Sequence, residues 1–296
     1  MKKTNNSNVL EVKDLNVEFS TYGGTVKAVR GVSYQVRKGK TLGVVGESGC
    51  GKSVTVQAIL QLIPMPPGRI TSGSAKLNGK EMIGLSPKDI NTIRGREIGV
   101  IFQDPMSSLN PTMKIGKQIA ETVKVHQHAS NDEAMQKAIA LLEKTKIPEA
   151  AKRAQQYPFE FSGGMLQRAI IAMSLACDPT LLVADEPTTA LDVTIQAQVL
   201  ALMADLKTQR QMSMIFITHD LGVVAMIADR VAVMYAGHIV EMAAVGELFQ
   251  HPVHPYTKAL LKSIPRLDRS TQEVFPIRGT VPPIDRMPVG CRFAER

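Results

Sequence analysis

The chain alternates between short apolar runs and stretches with helical spacing. Val9–Phe19 and Val26–Val36 are rich in Val with imperfect alternation. A Gly23-Gly24 turn between them predicts two antiparallel strands. That pair is expected as an edge beside the next strand, Thr41-Leu42-Gly43-Val44-Val45, whose continuous run reads as buried. Val54–Leu60 then starts a helix. Ile63-Pro64-Met65-Pro66-Pro67-Gly68 is a break. Ser74–Leu77 and Ile98–Phe102 predict short strands. From Ile115 to about Lys146, apolar residues at Ile115, Ile119 and Val123, then Ala138, Leu141 and Leu142, keep helical period. The polar centre, His126 to Asp132, predicts a helix break with a new N-cap. Gln167–Ala176 reads as a helix and Leu181–Asp185 as a buried strand. Ser213–Thr218 reads as another strand. Val231–Tyr235 and His238–Met242 form a hairpin turning at Ala236-Gly237. The succession predicts an α/β fold with a mostly parallel sheet, an antiparallel β edge and an inserted helical segment.

Composition narrows the class. With 44% hydrophobic and 21% charged residues, the chain reads as globular. The most apolar stretches, Ala169–Ala184 and Gly222–Val245, are interrupted by Asp178-Pro179 and Asp229-Arg230, so no membrane span is expected. Met1-Lys2-Lys3-Thr4-Asn5-Asn6 has charge but no apolar core behind it. A signal peptide is therefore not expected and a cytoplasmic location is. Three distant cysteines make no disulfide framework. The formal charge of +8 suits a solvated basic surface with a nucleotide site better than nucleic-acid binding, because no basic run interleaves with aromatics. His126 and His128 have no other ligand type beside them and are expected in solvent rather than on a metal.

Chemistry concentrates at Gly46-Glu47-Ser48-Gly49-Cys50-Gly51-Lys52-Ser53, which fits G-x-x-x-x-G-K-[ST] between a strand and a helix. Glycines let backbone N–H groups turn inward, and the helix N-terminus adds partial positive charge. Lys52 is expected on the β- and γ-phosphates and Ser53 on Mg²⁺. Nucleotide contacts are expected from the whole loop through Val54. Phe19, or Tyr22 in its place, is expected to stack on adenine. Cys50 sits at a helix N-terminus, so a lowered thiol pKa and ATP-protected alkylation are expected.

Further along, Gln103 ends a strand and can reach a metal or a water. Ser162-Gly163-Gly164, running into Met165-Leu166-Gln167-Arg168, makes a second anion-binding helix N-terminus. One nucleotide does not need two such ends, so this one is expected to face a phosphate bound by another subunit. Asp185 is placed for the Mg²⁺ shell and Glu186 for polarising a water toward the γ-phosphate. Asp192 follows. His219, at a strand end, can contact the γ-phosphate.

This ordered series resembles the nucleotide-binding subunit of an ABC transporter across most of residues 9 to 245. The stretches Phe161–Arg168, Ala184–Thr194 and His254–Leu261 resemble the dipeptide/oligopeptide import branch, which nickel importers share. Met165 stands where many ABC proteins have Gln. The resemblance implies a P-loop ABC ATPase core over 1–103 and 177–245, a helical subdomain over 104–176 and a C-terminal extension over 246–296. It implies two ATPs sandwiched between two such subunits. Each site would use one chain's phosphate loop and the other's Ser162, Gly163, Gly164, Met165 and Gln167, with Asp192 as the D-loop residue. Mg²⁺ would engage Ser53, Gln103 and Asp185. The implied partners are a second ATPase subunit (a paralogue), two transmembrane permease subunits and an extracytoplasmic solute-binding protein, on the cytoplasmic face of the membrane. Gly290-Cys291-Arg292-Phe293-Ala294-Glu295-Arg296 resembles the start of a cysteine motif that can hold an iron–sulfur cluster. Cys291 supplies one ligand, so a cluster is expected only if the natural chain continues. A soluble ABC ATPase acting on DNA or ribosomes is the rival from another class. A regulator without turnover is opposed by Glu186 and His219.

Overall fold

The computed structural model describes residues 8–189, 191–263, 277–282, 287–288 and 290–296; Met1–Asn6 and Ala190, named above, lie outside the described residues. The chain forms two compact units, one of Met1–Gly84 with Phe216–Arg296 and one of Leu85–Ile215.

In chain order, the first unit opens with β1 (Asn8–Thr21) and β2 (Gly24–Arg37), an antiparallel pair with Leu15 opposite Val32 and Val17 opposite Val29. β3 (Thr41–Val45) is buried throughout and leads through the phosphate loop into α1 (Lys52–Ile59). β4 (Gly68–Leu77) and the two-residue β5 (Lys80–Glu81) follow. β1 pairs on its other side with β4, giving a four-stranded sheet in the order β2-β1-β4-β5. The expected place of the hairpin, as the edge beside Thr41–Val45, is therefore corrected. β1 runs 14 residues and β3 only five, so the long antiparallel β2 and β4 satisfy backbone groups that β3 could not.

The second unit begins with α2 (Pro87–Ile93), β6 (Ile98–Ile101) and α3 (Pro105–Ser108). The helical stretch is two helices, α4 (Ile115–Gln127) and α5 (Asn131–Lys144). Ser130 starts α5 with a capping box, accepting from the Glu133 N–H while Glu133 accepts from the Ser130 N–H. α4 buries Ile115, Ile119 and Val123, and α5 buries Ala134, Ala138, Leu141 and Leu142. His128 is exposed, but His126 is half-buried, close over Gly95. Burial, then the charge of Arg96, pushes the His126 pKa down. α6 (Ala150–Arg153), α7 (Gly163–Ser174), β7 (Leu181–Asp185) and α8 (Val193–Arg210) complete the unit. β7 runs parallel to β6, with Val183 opposite Val100.

β8 (Ser213–Thr218) carries the chain back into the first unit, followed by α9 (Leu221–Ile227), β9 (Arg230–Tyr235) and β10 (His238–Ala244). β9 lies parallel to β3 and antiparallel to β10. The turn between them uses Ala236 and Gly237, both at positive φ, as a tight hairpin requires. α10 (Val245–Gln250) and α11 (Pro255–Lys262) are the last helices among the described residues. Tyr256 and Phe293 join Val45, Val231, Val233 and Tyr235 in one buried cluster, so the C-terminal residues belong to the core of the first unit. Among the described residues no helix is long and apolar enough to cross a membrane.

Candidate nucleotide site

The phosphate loop leaves β3 at Gly46, where φ is +155° and an added Cβ would lie 2.2 Å from the Met234 carbonyl oxygen. At Gly51, φ is +101° and a Cβ would lie 2.6 Å from the Ala28 oxygen. Only glycine fits either place. Gly51 is also the N-cap of α1 and provides no side-chain cap, so the helix's first N–H groups are not claimed by a capping side chain. Lys52 is 5% exposed, and its ammonium donates to the carbonyls of Gly46 at 2.8 Å and Glu47 at 3.1 Å. Ser48 and Gly49 are exposed; Ser53 and Val54 are half-buried. The loop is braced from behind: Gly237 donates its N–H to the Cys50 carbonyl at 3.0 Å. Gly46, Glu47 and His219 share a cavity of about 400 Å³ with Leu260, Ser263 and Ile277.

Cys50 does not behave as its position suggests. It is 2% exposed, and burial pushes its thiol up despite the nearby Lys52 charge. The helix-end effect is outweighed by desolvation of the thiolate. Phe19 is half-buried and packs over Gly68, while Tyr22 is fully exposed.

In the second unit, β7 delivers Asp185, 7% exposed, and then Glu186. Glu186 has φ of 47°, a left-handed conformation that costs a non-glycine residue about 1–3 kcal/mol. Its carboxylate accepts from Gln103 Nε2 at 3.2 Å and Thr189 Oγ1 at 3.0 Å. The structure thus brings Gln103 and Glu186 together. Thr189 was missed by the sequence reading; its only signal was a hydroxyl three residues after the carboxylate. Ser162 caps α7, accepting from the Met165 N–H at 3.4 Å, and Ser162 and Gly163 are exposed. Asp192 caps α8, accepting from the Ile195 N–H at 2.9 Å. The two helix ends lie together, since a Cβ on Gly164 would meet Ile195 at 2.8 Å. Met165 is half-buried. Gln167, expected as part of the same signature, is 1% exposed on the inner face of α7, and its Nε2 is buried without a hydrogen-bond partner.

Ser53 in the first unit and Asp185 in the second each carry a hard oxygen donor of the kind Mg²⁺ takes alongside phosphate oxygens. Among the described residues no group of three or more His, Cys, Asp or Glu could hold a metal by itself. The three cysteines of this sequence are fewer than the four thiolates such a cluster takes.

A further set of residues meets the phosphate loop from the C-terminal segment. Arg296 forms a two-pronged ion pair with Glu47, and the Tyr256 hydroxyl accepts from the Glu47 N–H at 3.0 Å. Burial pushes the Tyr256 phenol pKa up, and the Glu47 hydrogen bond raises that of Arg296.

A glycine-rich loop between a buried strand and a helix, in a chain with a carboxylate pair ending another buried strand, defines a P-loop nucleotide hydrolase of the α/β class. Residues 29–189 match the family model described as ABC transporter, and residues 240–296 match the one described as oligopeptide/dipeptide transporter, C-terminal region. The chain belongs to the ABC transporter family and is its ATPase component. It is 58% identical over 289 residues to the oligopeptide transport ATP-binding protein OppD of Bacillus subtilis, covering 97% of this chain and 81% of that one. The dipeptide transport ATP-binding protein DppD of Bacillus subtilis is 51% identical, covering 97% and 86%. OppD of Salmonella typhimurium is 50% identical, covering 97% and 85%. Among solved structures, the ATP-binding cassette MJ0796 dimer in a post-hydrolysis state bound to ADP and Pi aligns with a TM-score of 0.71. It is 23% identical and covers 80% of this chain and 98% of that one, a likeness of fold.

Proposed function

We propose that this chain hydrolyses ATP to drive uptake of oligopeptides or dipeptides through a membrane importer. The observation that carries the reading is the double match, to the ATPase family over 29–189 and to the peptide-transporter C-terminal region over 240–296, at 58% identity to OppD. Nickel transport and a DNA- or ribosome-directed ATPase have no comparable support.

In this reading the N–H groups of Gly46–Val54 and the Lys52 ammonium hold the β- and γ-phosphates. The Ser53 hydroxyl, the Asp185 carboxylate and Gln103 serve the Mg²⁺ shell. Bound Mg²⁺ supplies charge neutralisation on the phosphate oxygens. Glu186 takes a proton from a water whose oxygen attacks the γ-phosphorus, and the bond to the β–γ bridging oxygen breaks to leave ADP and phosphate. Gln103 and Thr189 hold that carboxylate in place, and His219 contacts the γ-phosphate. Phe19 or Tyr22 stacks on adenine. Ser162, Gly163, Gly164 and Met165, with Asp192 beside them, serve the ATP of a second ATPase subunit, a paralogue. Two permease subunits and an extracytoplasmic binding protein complete the importer, with this chain peripheral on the cytoplasmic face.

The test is capture of the tagged chain from solubilised membranes, followed by ATPase assay. Hydrophobic permease subunits should co-purify, and turnover should rise when a peptide-loaded binding protein is added. A chain recovered with ribosomes or DNA and no permease would overturn the reading.

A further inference from the structure

Glu47 is an awkward residue for a loop that attracts anions. A carboxylate one residue after Gly46 opposes the phosphate charge that the loop's N–H groups favour. The structure answers it with Arg296, 249 positions away in sequence. Arg296 Nη1 donates to Glu47 Oε2 at 2.8 Å, and Nη2 donates to Oε1 at 3.1 Å. This parallel fork is the strong form of an ion pair. The Arg296 side chain is 4% exposed and that of Glu47 30%, so the pair is partly shielded from water.

The remaining donors of Arg296 are used as well. Nε donates to the Arg278 carbonyl at 2.8 Å, Nη2 to the Gly279 carbonyl at 3.3 Å and Nη1 to the Tyr235 hydroxyl at 3.3 Å. The guanidinium lies 5.8 Å from the Tyr235 ring centroid and 6.0 Å from that of Phe293. Tyr235, Tyr256 and Phe293 pack on one another with centroids 4.5 to 5.5 Å apart. Tyr256 then reaches the loop backbone at the Glu47 N–H. One aromatic platform therefore fixes both the charge partner and the backbone of the same loop residue.

We propose that Arg296 is a positioning residue of the phosphate loop, cancelling the Glu47 carboxylate so that the C-terminal segment sets the affinity of the loop for nucleotide. This rests on the reading of residues 46–53 as the ATP phosphate site. Anything that lifts the Cys291–Arg296 segment would then weaken nucleotide binding from a distance, without touching the nucleotide.

The test uses the 296-residue chain and MgATP titration by calorimetry, with circular dichroism to check folding. Arg296→Ala should weaken MgATP by about 10-fold, the scale of one uncompensated charge in a partly wet site. Arg296→Lys, which keeps the charge and loses the fork, should fall between. The double variant Glu47→Gln with Arg296→Ala should recover most of the loss, because the opposing carboxylate is gone. A purely structural role for Arg296 would leave the double variant as weak as the single one, and that result overturns the proposal. Parental affinity in Arg296→Ala overturns it too. Lys52→Ala separates the two readings. If that variant binds MgATP like the parent, the nucleotide site itself is misassigned. If it loses binding while Arg296→Ala does not, only the role of Arg296 fails.

Discussion

Two helix N-termini in this protein are the proposed anion sites, and they are built differently. At α1 the N-cap is Gly51, which provides no side-chain cap, and the loop before it is pinned at Cys50 by Gly237 and at Glu47 by Tyr256 and Arg296. A buried lysine, Lys52, lies beneath. At α7 the cap is the hydroxyl of Ser162, long at 3.4 Å, with Ser162 and Gly163 exposed. The first end carries a fixed cation within its own unit. The second offers a hydroxyl and backbone N–H groups on an open surface. The open surface at the second end leaves room for the ATP of another subunit, as the proposed function requires.

The largest expected effect lies at neither end. Glu186→Gln keeps the shape and removes the base, so ATP turnover of the assembled complex should fall about 10²–10⁴-fold. Both ends still hold ATP, so a closed dimer should accumulate on size exclusion. Turnover at the parental rate would remove Glu186 from its role.

The next effect bears on the comparison directly. Lys52→Ala should weaken MgATP binding by the isolated chain about 100-fold, on the scale of a lost charge-assisted contact. Ser162→Arg should change that binding by less than about 2-fold, yet stop turnover in the assembled complex. Equal loss of binding in the two variants would erase the distinction between the ends.

A smaller effect concerns the thiols. Burial pushes the Cys50 pKa up and covers the thiol, so both effects slow its alkylation. At neutral pH, maleimide should label the exposed Cys291 at least about 10-fold faster than Cys50. Peptide mapping decides it, and preferential labelling of Cys50 would show an open loop instead of the braced one.

The smallest effect is at Thr189. Thr189→Ala removes one hydrogen bond to the Glu186 carboxylate and should lower kcat about 5-fold, with KM nearly unchanged, consistent with about 1 kcal/mol per such bond. A change in KM alone would place Thr189 on the nucleotide instead.

Much of this was legible in the sequence because it is local. β3 and β7 are short apolar runs with chemistry at their ends, and five residues flanked by Gly46 and by Pro187 suit a strand where a helix would need a longer run. The break at His126–Asp132 and the turn at Ala236-Gly237 follow from capping and positive φ, which neighbouring residues dictate. The phosphate loop is local too, since its glycines, Lys52 and Ser53 lie within eight positions.

What the tertiary structure decided is what depends on partners far along the chain. The sheet joined by β1 was settled by strand length and pairing, which periodicity does not encode. The raised Cys50 thiol, the buried Gln167 and the half-buried His126 are matters of desolvation, set by what packs around each group. Thr189 lies near Glu186 in sequence, but only the left-handed turn at Glu186 determines how the two meet. The ion pair of Arg296 with Glu47 spans 249 positions, and neither residue alone marks the other. Sequence determines the elements and the chemistry they carry, because both follow from neighbours a few residues apart. Charge compensation, burial and pKa follow from which surfaces the fold presses together.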